Sequence, residues 1–361
     1  MVNGAGKVSN AGVSIWLDDL SRERIESGSL AHLISYSYVS GVTTNPSIFS
    51  AAISKSSLYQ QDIFRLKNRT IEEIILELTT DDVRNACDLF KDTFAKSNKA
   101  DGRVSIEVDP RLARDTINTI NQGKELWRII NRENLLIKVP ATKEGLPAIT
   151  ELISLGISVN VTLIFSLSRY LEVIEAFVKG LEKRIEHSLA INDIHSVASF
   201  FISRIDSEVD KLLPTESDLR GKVAVSNAVL AYQAYCNFKE SDRWKKISEK
   251  GGNLQRPLWA STGVKDPKYP PTKYVAELIA KDVVNTMPEK TLDSVRDMEH
   301  VDSSMIISNY DSARLVIAKL ALAGIDLDKI TNDLESDGVT KFEGSWVELM
   351  NTIKKVIDSK L

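Results

Sequence analysis

Asn134-Leu-Leu-Ile-Lys-Val-Pro-Ala-Thr142 is a short apolar run with one lysine, Lys138, inside it. Its leucine, isoleucine and valine positions favour a strand, and Pro140 interrupts the ladder because proline has no N–H to donate. Gly145-Leu-Pro147 then begins a helical pattern. The stretch therefore predicts the core strand of a β/α unit.

Lys138 is an unusual residue for the wall of such a strand. An ammonium group among apolar side chains loses hydration, which favours the neutral amine that can attack a carbonyl carbon. The alternative is that the side chain extends to solvent or pairs with a carboxylate. This stretch alone leaves both interpretations open.

Composition describes an ordinary globular protein of one barrel-sized domain or two smaller ones. The chain has 361 residues, of which 43% are hydrophobic and 27% are charged. A net charge of -4 provides no general electrostatic attraction for nucleic acid or for an anionic membrane. Any anionic ligand must therefore be bound by a local cluster of cations.

The cysteines and the N-terminal residues favour a cytoplasmic protein. Cys87 and Cys236 lie far apart and form no CxxC pair, as is typical of a reducing compartment. Residues 1–7 lack the apolar segment of a signal peptide, and no apolar run is long enough to cross a bilayer. Gly4-Ala-Gly6-Lys7 precedes a strand instead of following one, so we expect a flexible tail there and no phosphate loop.

Segments with strand character alternate with helical patterns along the whole chain. Their approximate ranges are 13–17, 39–43, 103–110, 134–142, 156–162, 195–201, 257–261 and 281–286. This alternation predicts an α/β fold, a (β/α)8 TIM barrel that forms one domain over residues 1–361. A doubly wound sheet is the alternative, but its usual glycine-rich turn is absent after the first strand, where Asp18-Asp19-Leu-Ser stands.

Two segments add helices to the predicted barrel. Residues 206–254 are helical and polar, which predicts an enlarged helical segment after strand six. Residues 312–361 form further helices, with a turn expected near Asp337-Gly338. Trp244 lies among charged residues and is predicted to sit on a solvated helix face.

Polar residues stand near the C-terminal ends of at least six predicted strands. They are Asp18, Asn45, Glu107, Lys138, Asn160, Thr162 and Ser199. Because these strand ends meet at one face of a TIM barrel, we expect the side chains to share one mouth. Carboxylates beside a lysine suit acid–base chemistry around an amine nucleophile, and the alternative is a buried ion-pair network.

The other polar candidates also have two interpretations each. Asn45 and Asn160 suit substrate hydroxyls, but asparagine is also a common turn or capping residue. Arg204 follows the sixth strand at the start of a helix, which suits a phosphate; the alternative is an exposed arginine paired with Asp206. The four histidines have no ligand spacing with each other or with cysteine, which argues against a metal site.

Four ordered motifs resemble the transaldolase family, in its longer bacterial type. They are Gly41-Val-Thr-Thr-Asn-Pro-Ser-Ile-Phe49, Ser105-Ile-Glu-Val-Asp109, Leu136-Ile-Lys-Val-Pro140 and Asn160-Val-Thr-Leu-Ile-Phe-Ser166. The resemblance extends over residues 13–357. It implies a class I aldolase barrel that transfers a dihydroxyacetone unit through a lysine Schiff base, with no metal and no cofactor.

The resemblance also implies roles for individual catalytic residues. Lys138 would form the Schiff base, and Asp18 would remove the hydroxyl proton that drives carbon–carbon cleavage. Glu107 and Thr162 would handle a water during carbinolamine formation and loss. Asn160, together with Asn45, would hold the dihydroxyacetone hydroxyls.

The implied substrate-binding residues extend to the phosphate. Ser199 would contact the donor near its carbonyl, and Arg204 would bind the phosphate. The remaining implied substrate-binding residues are Thr43, Phe201 and Ser261. Shorter transaldolases have a second arginine after strand seven, whereas this chain continues from Ser261 to Lys265, which we expect to bind the phosphate as a point charge. Ser203 stands where the shorter family has glycine.

The resemblance therefore implies a transaldolase of the pentose phosphate pathway, and the cysteines lead us to expect it in the cytoplasm. Its substrates and products would be sedoheptulose 7-phosphate, glyceraldehyde 3-phosphate, erythrose 4-phosphate and fructose 6-phosphate. No nucleic acid or membrane partner is expected, and the protein is expected to be a monomer or homodimer. The alternatives are a Schiff-base aldolase that releases free dihydroxyacetone and a non-catalytic barrel that binds sugar phosphates.

Overall fold

The strands of the computed structural model, which describes residues 2–359, form one closed barrel. Within these residues eight parallel strands pair in chain order, and the last pairs with the first. They are β1 Val13–Leu17, β2 Val39–Val42, β3 Arg103–Glu107, β4 Leu135–Pro140, β5 Val159–Ile164, β6 Ser196–Phe201, β7 Arg256–Ala260 and β8 Val283–Met287. The predicted (β/α)8 TIM barrel is confirmed. Met1, Lys360 and Leu361 lie outside the described residues, and the last two belong to the predicted C-terminal helices.

Helices surround the barrel and extend beyond it. In the first half of the chain they are α1 Gly4–Asn10, α2 Arg22–Glu26, α3 Ser29–Tyr36, α4 Pro46–Lys55, α5 Gln60–Arg65, α6 Ile71–Leu89, α7 Lys91–Lys96, α8 Thr116–Ile130 and α9 Gly145–Ser154. In the second half they are α10 Leu167–Glu186, α11 Ser203–Leu212, α12 Val223–Lys239, α13 Asp242–Ser248, α14 Lys273–Ala276, α15 Glu289–Arg296, α16 Met305–Ser308, α17 Tyr310–Leu322 and α18 Leu327–Asp358.

The register of β3, β4 and β5 places three polar residues at paired positions. Every residue of β4 and β5 is buried, as expected for parallel strands covered on both faces. Glu107 of β3 pairs with Lys138 of β4, and Lys138 pairs with Asn160 of β5. The hydrogen-bond ladder itself therefore positions a carboxyl, an amine and an amide on neighbouring strands.

The prediction of a flexible N-terminal tail at Gly4–Lys7 is wrong. These residues begin helix α1, whose N-cap is Asn3, with its side chain accepting a hydrogen bond from the Gly6 N–H. Gly4 is buried against α15, where a Cβ atom would collide with the Val295 carbonyl oxygen. Glycine is needed here for close packing, which a sequence pattern does not distinguish from flexibility.

The predicted turn near Asp337-Gly338 is also wrong. Helix α18 continues through both residues, and the chain instead turns between α17 and α18, where Gly324 has a φ of 76°. Gly338 packs on the barrel, since a Cβ atom there would lie 2.9 Å from Leu163 Cδ2. This glycine lets a long helix approach strand β5 closely.

The enlarged helical segment predicted after strand six is present. Its residues, 206–254, include α12, α13 and most of α11, and α12 packs against α17. Trp244 of α13 is 4% exposed, so its predicted position on a solvated face is wrong. Its ring packs against Phe238 with the centroids 5.6 Å apart. The charges that flank Trp244 point elsewhere because a short helix can bury one residue while exposing its neighbours.

Candidate active site

A cavity of about 170 Å³ opens at the C-terminal ends of the strands and collects most of the predicted site residues. Those that line it are Asp18, Thr43, Asn45, Lys138, Thr162, Ser199, Phe201, Arg204, Ser261 and Lys265. Glu107 and Asn160 do not line this cavity but contact residues that do. The fold therefore brings residues from seven strands and their following loops to one mouth.

Lys138 is held inside the barrel and does not extend to solvent. Its side chain is 5% exposed, and Nζ donates a hydrogen bond to the Thr44 carbonyl oxygen at 3.0 Å. Nζ also lies 3.3 Å from Glu107 Oε2. The lysine is thus fixed beside both a carboxyl group and the cavity, a geometry that suits an amine nucleophile.

Glu107 is a buried carboxyl group with unused hydrogen-bonding capacity. Burial raises its pKa to about 7, although the nearby Lys138 ammonium opposes this rise and Asp18 adds to it. The contact with Lys138 is an ion pair at 3.3 Å, and neither carboxyl oxygen accepts a hydrogen bond within the hydrogen-bonding geometry of the described residues. A carboxyl that titrates near neutral pH is suited to moving protons.

Thr162 also has a buried hydroxyl without a hydrogen-bond partner in the described part of the chain. Buried polar atoms of this kind are rare in folded proteins and commonly bind a ligand or a water. Glu107 additionally lines a second cavity of about 360 Å³ that shares Asn45 with the first. Glu107 therefore lines one cavity and contacts Lys138, which lines the other.

Asp18 is anchored by a chain of threonine hydroxyls. Asp18 Oδ1 accepts a hydrogen bond from Thr43 Oγ1 at 2.7 Å, and Thr43 Oγ1 lies 2.7 Å from Thr286 Oγ1. Burial raises the pKa of Asp18, while the Lys138 charge opposes that rise. Thr286 was not predicted as a site residue, although its position near the end of β8 is the signal that identified the others.

The amide residues are held by different contacts. Asn160 Nδ2 donates to Ser105 Oγ at 3.0 Å, and Ser199 Oγ donates to Asn160 Oδ1 at 2.7 Å. Asn45 Oδ1 accepts from the Ile48 N–H at 3.0 Å and so caps α4. Asn45 both caps a helix and lines the cavity, so the two interpretations of this residue are compatible.

Two cationic side chains, those of Arg204 and Lys265, line the cavity. The Arg204 guanidinium lies 5.2 Å from the centre of the Phe201 ring, and burial lowers its pKa. The alternative pairing of Arg204 with Asp206 is not observed, because Asp206 accepts hydrogen bonds from other groups. Lys265 is exposed at the rim, in the loop that follows Ser261. An arginine and a lysine so arranged can bind a phosphate group.

Phe342 is a cavity residue that sequence reasoning missed. It belongs to α18, is 5% exposed, and has its ring centre 5.7 Å from Lys138 Nζ. No sequence signal identifies it, because its position depends on how a C-terminal helix packs across the barrel mouth. The Phe342 ring and Lys138 therefore line the same cavity.

Among residues 2–359 no group of three or more histidine, cysteine, aspartate or glutamate side chains is placed to hold a metal ion. Over the same residues no helix is long and apolar enough to cross a membrane.

Comparison with known proteins gives one consistent family. The sequence model described as Transaldolase/Fructose-6-phosphate aldolase matches residues 15–353. The chain is 52% identical over 359 residues to a Transaldolase of Mycolicibacterium smegmatis, covering 98% of this chain and 97% of the relative. It is 51% identical over 361 residues to Transaldolase 1 of Streptomyces coelicolor, covering 98% and 95%. A Transaldolase of Renibacterium salmoninarum is 50% identical over 366 residues, covering 99% and 98%.

Proposed function

The chain belongs to the Transaldolase/Fructose-6-phosphate aldolase family, and from that premise we propose that Lys138 forms the Schiff base of its transaldolase reaction. The observation that carries this assignment is the position of Nζ, which is buried at the cavity between the Thr44 carbonyl and the Glu107 carboxyl. An amine in this setting can attack the ketose carbonyl carbon. Glu107 lies close enough to take a proton from the amine and to return it.

We propose that Glu107 and Thr162 act on the carbinolamine that this attack produces. Its hydroxyl group leaves as water when Glu107 supplies a proton, and the iminium ion remains on Lys138. The unpaired Thr162 hydroxyl supports this role because it can orient the departing water. The pKa of Glu107, about 7, allows the same carboxyl group to donate and accept the proton near neutral pH.

Asp18 is the proposed base for carbon–carbon cleavage. Its carboxylate takes the proton of the hydroxyl group on the carbon beyond the bond that breaks, and the bonding electrons move to the iminium nitrogen. The Thr43 hydroxyl orients the carboxylate. The aldose leaves, and the enamine on Lys138 keeps the dihydroxyacetone unit until an acceptor aldehyde reverses these steps.

The proposed binding residues hold the two ends of the substrate. Asn45, Asn160 and Ser199 are assigned to the dihydroxyacetone end, near Lys138. Arg204 and Lys265 are assigned to the phosphate, which is consistent with their charge and their shared position at the cavity. Thr43, Phe201 and Ser261 complete the proposed lining.

Sugar phosphates are the substrates that the family implies. We propose sedoheptulose 7-phosphate and fructose 6-phosphate as donors, with glyceraldehyde 3-phosphate and erythrose 4-phosphate as the corresponding acceptors. The cytoplasm is the proposed compartment, a proposal supported by the free and buried Cys87 thiol.

Acceptor dependence tests transfer directly. With fructose 6-phosphate alone, a transferase forms at most one glyceraldehyde 3-phosphate per active site, and steady turnover begins when erythrose 4-phosphate is added. Lys138→Ala should abolish both the burst and the turnover. Steady formation of free dihydroxyacetone without acceptor would contradict transfer and identify an aldolase. Reversible binding of fructose 6-phosphate with neither burst nor turnover would identify a non-catalytic barrel.

A further inference from the structure

Two tyrosine–aspartate pairs join helix α11 to the segment that follows β7. Tyr274 Oη donates to Asp206 Oδ2 at 2.9 Å, and Tyr269 Oη donates to Asp210 Oδ2 at 2.6 Å. Asp206 and Asp210 are four residues apart on α11 and share one side of it. We call these two pairs the tyrosine clamp.

The clamp is a specific arrangement and not a chance surface contact. Asp206 is 2% exposed and Asp210 is 8% exposed. The second oxygen of each carboxylate is also occupied, since Asp206 Oδ1 accepts from the Ala224 N–H at 2.8 Å and Asp210 Oδ1 from the Gly221 N–H at 3.0 Å. These backbone hydrogen bonds therefore fix the orientation of both carboxylates independently of the tyrosines.

Gly221 provides space for the Tyr269 ring. It has a φ of 67°, and a Cβ atom there would lie 2.6 Å from Tyr269 Cζ. A larger residue at this position would displace the ring and lengthen its contact with Asp210. The clamp is thus supported by backbone geometry as well as by hydrogen bonds.

The clamp connects the two elements that carry the proposed phosphate ligands. Arg204 stands in the first turn of α11, two residues before Asp206, while Lys265 lies in the loop between β7 and α14 that also contains Tyr269. Lys265 lines the substrate cavity and also a neighbouring cavity of about 270 Å³, which both aspartates and both tyrosines line. A shift of the loop against α11 would change the distance between the two cations.

We propose that Tyr269 and Tyr274 are positioning residues that fix Lys265 relative to Arg204, so that both cations reach one terminal phosphate. This inference rests on the proposed phosphate role of Arg204 and Lys265. Lysine is a flexible point charge, and an exposed loop that had to be ordered on binding would lose affinity. The clamp supplies this order in advance, and a misplacement of about 1 Å can cost a large factor in binding or rate.

The test replaces both clamp hydroxyls, in a Tyr269→Phe/Tyr274→Phe double variant. We would compare kcat/KM for fructose 6-phosphate with kcat/KM for unphosphorylated fructose, using the same acceptor, and measure competitive inhibition by inorganic phosphate. The expected result is a selective loss of about tenfold for the phosphorylated donor, mainly in KM, with weaker inhibition by phosphate. Fructose should be used with near-normal efficiency.

Tyr59→Phe is the matched control variant. Tyr59 Oη also donates to a buried carboxylate, Asp82 Oδ2, at 2.7 Å, but Tyr59 does not line the substrate cavity. Its replacement should lower thermal stability and leave the preference for the phosphorylated donor unchanged. Equal losses on both donors in the double variant, or a preference like that of Tyr59→Phe, would overturn the clamp.

Lys265→Ala in the same assay separates the clamp from the assignment on which it rests. If Lys265→Ala reduces the preference for the phosphorylated donor and the double variant does not, the clamp proposal fails and the phosphate assignment stands. If Lys265→Ala leaves this preference unchanged, the assignment of Lys265 to the phosphate fails, and the clamp proposal fails with it.

Discussion

Glu107→Gln preserves the shape of a buried side chain but removes its ionisable group. The variant therefore isolates the free-energy cost of ionising the Glu107 carboxyl group inside the folded protein. Burial raises the pKa of Glu107 from 4.5 to about 7, a value that already includes the opposing effect of Lys138. A pKa difference of one unit corresponds to about 1.4 kcal/mol. Ionising Glu107 in the folded protein therefore costs roughly 3 kcal/mol more than in the unfolded chain. The wild-type protein should carry this cost whenever the carboxyl group is ionised.

The direction in which pH changes the free energy of unfolding follows from proton binding. The folded protein holds the Glu107 proton more tightly than the unfolded chain, so this group contributes stability below pH 4.5 and loses it as pH rises to about 7. Glutamine mimics the protonated form at every pH. The free energy of unfolding of Glu107→Gln, relative to wild type, should therefore rise by roughly 3 kcal/mol between pH 4 and pH 8.

Urea unfolding of both proteins at several pH values measures this difference. In parallel, kcat/KM should fall by about a hundredfold or more in the variant, because glutamine cannot relay a proton. Wild-type kcat/KM should decline below pH 7, where Glu107 is protonated and can no longer act as the base that frees the Lys138 amine. A stability difference that is constant from pH 4 to pH 8 would refute the reasoning.

Three further variants test separate parts of the site. Asp18→Asn should slow carbon–carbon cleavage more than about a hundredfold yet still allow Schiff-base trapping on Lys138; loss of trapping would contradict its assigned step. Lys265→Ala should raise KM for fructose 6-phosphate about tenfold with little change in kcat, and an unchanged KM would remove its phosphate role. Phe342→Ala should admit water and increase free dihydroxyacetone relative to transfer product, measured against Phe342→Leu; an unchanged ratio would exclude shielding by the ring.

Sequence reasoning worked best where a short stretch determines the local structure. The strand around Lys138 is an apolar run, interrupted only by this lysine, that ends at Pro140, and its parallel neighbours β3 and β5 are likewise buried throughout. Because a TIM barrel gathers the C-terminal ends of its strands, a polar residue at such an end could be assigned to the cavity without coordinates. Thr286 satisfies the same rule and could have been included.

Residues that depend on long-range packing could not be predicted in this way. Phe342 reaches Lys138 only because α18 packs across the barrel mouth, and Gly338 allows that approach without a turn. Gly4 is a second example, because a residue with a Cβ atom would collide with α15 at this position. In each case the sequence shows only that the residue is small or apolar. The reason for that residue type becomes clear only from the element against which it packs.

The tyrosine clamp illustrates the same limit for polar residues. Asp206 stands two residues after Arg204 in the chain, so an ion pair between them was a reasonable alternative. In the folded protein Asp206 is instead satisfied by Ala224 and Tyr274, which leave Arg204 free to face the cavity. The partners are 18 and 68 residues away along the chain.

Borohydride reduction tests the central claim most directly. The protein would be treated with sodium borohydride in the presence and absence of fructose 6-phosphate, followed by intact mass measurement and peptide mapping, with Lys138→Ala as the control. We predict a substrate-dependent mass increase of one reduced dihydroxyacetone unit on the peptide that contains Lys138, and none in the control. An adduct on another lysine, or no adduct in folded protein that binds the sugar phosphate, would contradict the account.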